Sequence, residues 1–284
     1  MKFTRFTHDA STHLGVITED IIKEIKGDIF GEWEYSGNTF SIVDVTLLAP
    51  LKPNQIIGIG ANYVSKIEGR PTELPEIPVF FFKPTSSVIG PEEEIMIPEG
   101  IEQVKFESEL AIIIGKEAKN VSESEVLDYV FGYTVGNDVT APQFFHQDGH
   151  WTIGKSFDTF TPLGPVIETE LDPFSVKVEA KLNEVEKQNS STELMIIPIR
   201  RMIAYLTNVM TLKPGDVILT GSPVGAEFVG AGDTIECKIK EIGTLLKKKQ
   251  TLQPLAKKLR RVISSTIHMA MHDLAFLFSI LIRS

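Results

Sequence analysis

The chain has 284 residues, 42% apolar and 23% charged, with one cysteine, Cys237, and a formal net charge of −10. Such a composition buries a sizeable core without a disulfide framework, and it excludes a small disulfide-stapled scaffold. Residues 1–246 carry 20 basic against 37 acidic groups, so nucleic acid is not an expected partner, because this body has no surplus of cations for phosphates.

No basic-then-apolar leader opens the sequence Met1-Lys2-Phe3-Thr4-Arg5-Phe6, and with a single cysteine the expected location is cytoplasmic. Residues 1–50 alternate apolar and polar positions and are read as a small, mostly β N-terminal unit closed by Pro50 and Pro53.

Residues 51–246 hold short apolar runs separated by Gly, Pro, Asn and Asp, with strands expected at 56–60, 79–82, 110–114, 131–135, 176–182, 216–220 and 234–239. Two helices are expected, over 123–130 after the cap-like Ser122 and over 195–206 with apolar spacing near 3.6. Many strands and few helices imply a β-rich α+β fold, a sandwich or closed roll, in preference to an alternating βαβ sheet.

Residues 247–284 differ in kind: basic clusters precede an apolar stretch from Met269 to Ile282, too short for a membrane span. This tail is read as an extra segment, or one packed on a dimer mate, in preference to a helix lying on an anionic membrane.

The chemistry concentrates in Val104-Lys105-Phe106-Glu107-Ser108-Glu109-Leu110-Ala111-Ile112-Ile113-Ile114-Gly115. On a strand, Glu107 and Glu109 point to one face, and two such carboxylates beside a core are costly unless a cation neutralises them. Asp138, at the end of the expected strand Phe131-Gly132-Tyr133-Thr134-Val135-Gly136-Asn137-Asp138, is a third acid. Three carboxylates without Cys or paired His select Mg²⁺ or Mn²⁺, with Ca²⁺ as a third candidate, over Zn²⁺. On spacing alone, two solvated glutamates and a turn aspartate are the equally weighted alternative.

Several motifs occur in order. They are Gly60-Ala61-Asn62-Tyr63, Phe82-Lys83-Pro84, the Glu-x-Glu run, the segment ending at Asp138, Gly154-Lys155-Ser156-Phe157-Asp158-Thr159-Phe160, Pro162-Leu163-Gly164-Pro165, Leu212 to Pro223 and Gly232-Asp233. Together they resemble the fumarylacetoacetate hydrolase family from about residue 52 to 246. The resemblance implies that Glu107, Glu109 and Asp138 are metal ligands, that Lys155 acts near the metal with Thr159 close by, and that Ser222, Thr220, Tyr63 and Lys83 contact substrate.

It further implies a metal-dependent enzyme that hydrolyses a C–C bond of an acylpyruvate or related 2-oxo acid through a metal-stabilised enolate. A decarboxylase, an isomerase or tautomerase, and a non-catalytic ligand-binding member are the alternatives, and the family habit implies a homodimer. The His-Glu dyad that activates water in hydrolytic members is replaced by Lys66 and Gly69, with Glu68 one place off, so Lys66 and Glu68 are the candidates for its role. The Arg and Gln used on substrate carboxylates are replaced by Pro142 and Phe145, with His146 and His150 as nearby replacements and Trp151 read as a core or lid aromatic.

Overall fold

The computed structural model describes residues 1–245 and the backbone of residues 250–251 and 253–254. The apolar stretch expected between Met269 and Ile282 lies outside the described residues.

The N-terminal strands are β1 (Lys2–His8), β2 (Ser11–Thr18), β3 (Ile21–Gly27) and β4 (Trp33–Ser41). They are followed by β5 (Ile56–Ile59), β6 (Phe80–Lys83), β7 (Ser108–Ile114), β8 (Val130–Asn137), β9 (Thr161–Glu168), β10 (Lys177–Leu182) and β11 (Val185–Ser191). The single α-helix among the described residues, α1 (Ile199–Val209), precedes β12 (Val217–Leu219) and β13 (Thr234–Ile239).

A twelve-stranded sheet has the order β4-β3-β2-β1-β9-β8-β7-β12-β5-β6, with two further short strands paired on β1 and β9. The N-terminal strands join it through β1, where Phe3 pairs with Ile167 of β9. A second, five-stranded sheet is built around β11, β10 and β13. Strand β7 is buried along its whole length, which explains its nearly continuous apolar sequence: a strand covered on both faces has no solvent side to alternate with. The β-rich architecture is thus the expected one.

Two elements depart from expectation for identifiable reasons. Helix α1 starts at Ile199 because Pro198 stands at its N-cap and disfavours helical backbone in the residue before it. Met195 is extended instead and bridges to Tyr63, and the Ile196 amide donates to the Asn62 carbonyl. The helix expected over 123–130 contracts to a 3₁₀ turn, Val126–Tyr129, since so short a segment lacks the length to sustain a helix and Val130 is already committed to β8.

At the N-terminal end of the sheet, the buried Glu24 carboxylate accepts hydrogen bonds from Ser36 Oγ (2.5 Å), His13 Nδ1 (2.6 Å) and Asn38 Nδ2 (2.8 Å). These donors, Ser36 foremost, push its pKa from near 4.5 down to about 2. A depressed carboxyl pKa gives stability that is present above the unfolded value and lost as pH falls through the folded one. Glu24→Gln is therefore expected to lose about 1–3 kcal/mol at pH 7. The gap from the parent should close as the pH falls from 4.5 toward 2, as followed by urea unfolding across that range.

Candidate metal centre

Antiparallel pairing of β7 with β8 places Ser108 opposite Asn137 and Glu109 opposite Gly136. Asp138 is thereby carried to the start of β7, where its amide donates to the Glu107 carbonyl at 2.8 Å. Glu107 itself lies just before β7, in a break between strands, and its amide donates to Asn137 Oδ1 at 2.9 Å. The expectation that both glutamates belong to one strand is corrected here, since these two bonds replace ladder pairing at Glu107. The grouping nevertheless holds: one oxygen from each of Glu107, Glu109 and Asp138 lies within 4.8 Å of the others.

Ligands on a sphere about 2.1–2.4 Å around a hard cation are at most about 4.2–4.8 Å apart, so the spacing and the all-oxygen donor set suit Mg²⁺, Mn²⁺ or Ca²⁺. Charge points the same way. Three buried or nearly buried acids face two buried lysines, Lys83 and Lys155. Burial, and after it Asp138, drives the Glu109 pKa well above the ordinary carboxylate range; a further cation would relieve that strain. These residues fit a hard divalent ion.

The two lysines have different duties. Lys83 Nζ donates to Asp138 Oδ1 (2.6 Å) and to the Val139 carbonyl (3.2 Å) with no exposed side-chain surface. It braces Asp138 and is not among the residues lining the cavity, where a substrate contact was expected of it. Lys155 Nζ donates to Glu107 Oε2 at 2.6 Å and to Asp138 Oδ2. Burial opposes its charge, but Asp138 and Glu107 outweigh burial and raise its pKa above the ordinary lysine value. An ammonium has three N–H donors, and two are used here.

The acids and Lys155 line a cavity of about 300 Å³, shared with Lys105, Phe81, Phe145, Trp151 and Ser222 among others. Gly60 is required at its edge: a Cβ there would sit 2.0 Å from Trp151 Cζ3. Gly221 (φ +97°) adopts a backbone that favours glycine and aims its amide at Glu109 Oε2, 2.7 Å away. Trp151, expected in the core or a lid, is thus part of the cavity wall, as is Phe145.

Among the substrate-contact candidates, Ser222 reaches the cavity. Gln188 Nε2 donates to Ser222 Oγ (2.8 Å), while Gln188 Oε1 accepts from the Ser108 amide (3.1 Å) between the two glutamates. Gln188 fills an acceptor position on the hydroxyl, and the Ser222 proton meets only the Pro223 carbonyl at a long 3.5 Å, a contact that a better acceptor in the cavity can displace. Nothing in the sequence around Gln188 signals this role.

Thr220 is fully buried with its hydroxyl donated to the Leu110 carbonyl, and Thr159 accepts from the Met96 amide at 2.8 Å. Both therefore serve the backbone and not the cavity. Tyr63 Oη is buried without a partner, and burial, followed by the charge of Glu109, raises its pKa. Lys66 and Glu68 stand exposed around a 3₁₀ turn outside the cavity lining, and His146 and His150 are also exposed. Burial pushes the Cys237 thiol up to about 12, so it is not a nucleophile.

The sequence matches two family descriptions: Fumarylacetoacetate (FAA) hydrolase C-terminal over residues 55–248, and Rv2993c-like, N-terminal, over residues 1–50. Uncharacterized protein MJ1656 of Methanocaldococcus jannaschii is 40% identical over 225 residues, covering 75% of this chain and 95% of that protein. A mitochondrial oxaloacetate tautomerase, fahd2 of Xenopus laevis, is 40% identical over 215 residues, covering 71% and 67%.

Among solved structures, a 5-carboxymethyl-2-hydroxymuconate delta-isomerase from Mycobacterium smegmatis superposes with a TM-score of 0.83 at 37% identity, covering 89% of this chain and all of that one. A maleylpyruvate hydrolase from Sphingobium sp. SYK-6, in complex with manganese(II) and pyruvate, gives 0.73 at 28% identity, covering 89% and 99%. The matched motifs, the sheet that carries them and these likenesses agree: the chain belongs to the fumarylacetoacetate hydrolase family.

Proposed function

We infer that this protein is a divalent-metal-dependent enzyme acting on a small 2-oxo or β-dicarbonyl acid. The observation that carries the reading is the acidic triad capped by a buried, protonated lysine at the floor of a small cavity. When bound, Mg²⁺ or Mn²⁺ supplies Lewis-acid polarisation of the substrate carbonyl.

The chain's own residues supply the remainder. Lys155 directs its third N–H toward charge developing on a substrate oxygen, and Ser222 donates a second hydrogen bond once Gln188 has fixed its hydroxyl. Lys83 holds Asp138 in place from below. Among the residues lining the cavity there is no histidine, and of its two lysines Lys155 is held charged by Asp138 and Glu107. Decarboxylation, which calls for neither activated water nor a base, and tautomerisation or isomerisation, which call for a proton acceptor such as a lining carboxylate but not for activated water, are therefore preferred over hydrolysis. Hydrolysis of a C–C bond is the second reading, favoured by the likeness to the maleylpyruvate hydrolase.

A cytoplasmic homodimer with residues 1–50 as an accessory unit completes the proposal; family resemblance supports the dimer. No helix among the described residues is long and apolar enough to cross a membrane. The test is turnover of a panel of 2-oxo acids with Mg²⁺ or Mn²⁺, with keto–enol exchange followed by ultraviolet absorbance. Activity that vanishes with chelator and returns with metal is expected. Tight metal and oxalate binding with no turnover of any member would instead identify a binding protein.

A further inference from the structure

The cavity is chemically lopsided. One end carries Glu107, Glu109, Asp138 and Lys155, and Lys105 belongs to that end through Glu107, 3.5 Å from its Nζ. The adjoining wall is three aromatic rings. Trp151 stacks on Phe145 (centroids 5.7 Å apart, 20° between planes) and meets Phe81 edge-on at 5.9 Å. Phe81 in turn lies 4.8 Å beneath Lys155 Nζ, so the wall begins where the charged end stops.

Arginine is absent from the lining, and both lining lysines are engaged with carboxylates. On the functional reading above, the 2-oxo acid head occupies the charged end. The rest of such a molecule then lies against Phe81, Phe145 and Trp151. A second carboxylate there would be stripped of water without a partner, which is costly. An alkyl or phenyl group would instead gain by leaving water and by ring contact.

We propose that this aromatic wall makes the site selective for 2-oxo acids with an uncharged, apolar distal group and against dicarboxylates, with Phe145 and Trp151 as the specificity-determining residues. The test is calorimetry, together with quenching of tryptophan fluorescence, on the full chain loaded with Mn²⁺. The probes are oxalate, which has a head and no tail, phenylpyruvate, which has an apolar tail, and 2-oxoglutarate, which has a carboxylate tail.

Phenylpyruvate is expected to bind at least about tenfold more tightly than 2-oxoglutarate, and Phe145→Arg to reverse that order. Equal or tighter binding of 2-oxoglutarate by the parent protein would overturn the proposal, as would an unchanged ratio in a folded Phe145→Arg. Oxalate separates the two levels of inference. If oxalate binds but the tail preference is absent, the aromatic wall does not select; if oxalate does not bind, the functional reading itself fails.

Discussion

Glu109→Gln is expected to cut metal-dependent turnover severely while leaving the protein folded. Glu109 is 2% exposed, and its Oε2 is fixed by the Gly221 amide at 2.7 Å. The amide of glutamine keeps that acceptor and the side-chain volume, but it replaces the other oxygen by an NH₂ that cannot ligate a cation and can never carry the negative charge. The cluster then holds two carboxylates, Glu107 and Asp138, already matched by Lys83 and Lys155, with the half-buried Lys105 also 3.5 Å from Glu107, so no net negative charge remains to draw in a cation.

Cation affinity should fall by more than the roughly 10–100-fold typical of losing an outer-shell partner. Turnover should fall by about 10³-fold, since polarisation by the metal is worth several kcal/mol. Manganese titration by calorimetry and a 2-oxo acid assay check the two halves. A folded variant that binds Mn²⁺ as the parent does, with unchanged turnover across the panel, would remove Glu109 from the site and the metal reading with it.

The acidic centre was legible in the sequence because Glu109 lies on β7 while Glu107 and Asp138 directly adjoin β7 and β8, whose apolar runs stand out in the sequence. Glu107 falls outside the strand, yet the period-2 expectation still grouped acids that the fold brings together, because the break occurs at the very end of the ladder. Strand β9 was not legible: Pro162, Gly164 and Pro165 mask its apolar pattern. The helix boundary at Pro198 was readable in principle, and the 3.6-residue spacing overruled it wrongly.

The supporting shell stayed hidden for a different reason. Lys83 meets Asp138 across 55 positions, and Gln188 meets Ser108 across 80. Such pairs are products of sheet topology, and no local pattern announces them. The same is true of the aromatic wall. Phe145 was readable as the loss of a polar residue, but its stacking on Trp151, and the seating of Trp151 over Gly60, required the fold. Conversely, Thr159, Thr220 and Lys83 carry the right residue types in matching motifs, and the structure uses their polar atoms internally.

Lys155→Met is expected to separate catalysis from metal binding. The ammonium is 4% exposed, bonded to Glu107 and Asp138 and seated over Phe81. Methionine of similar reach can occupy the space against that ring without charge. Glu107 and Asp138 then lose a competing cation, so Mn²⁺ affinity should hold or rise. Charge developing on substrate loses its nearest protein donor, and turnover should drop by about 10²–10³-fold, carried mainly by kcat. Lys155→Arg restores the charge, but its planar fork cannot reproduce the same point contacts, so only partial recovery is expected. A Met variant with lower metal affinity and an unchanged kcat would show that Lys155 merely balances charge beneath the site, and the donor acting on substrate would have to be sought at Ser222 instead.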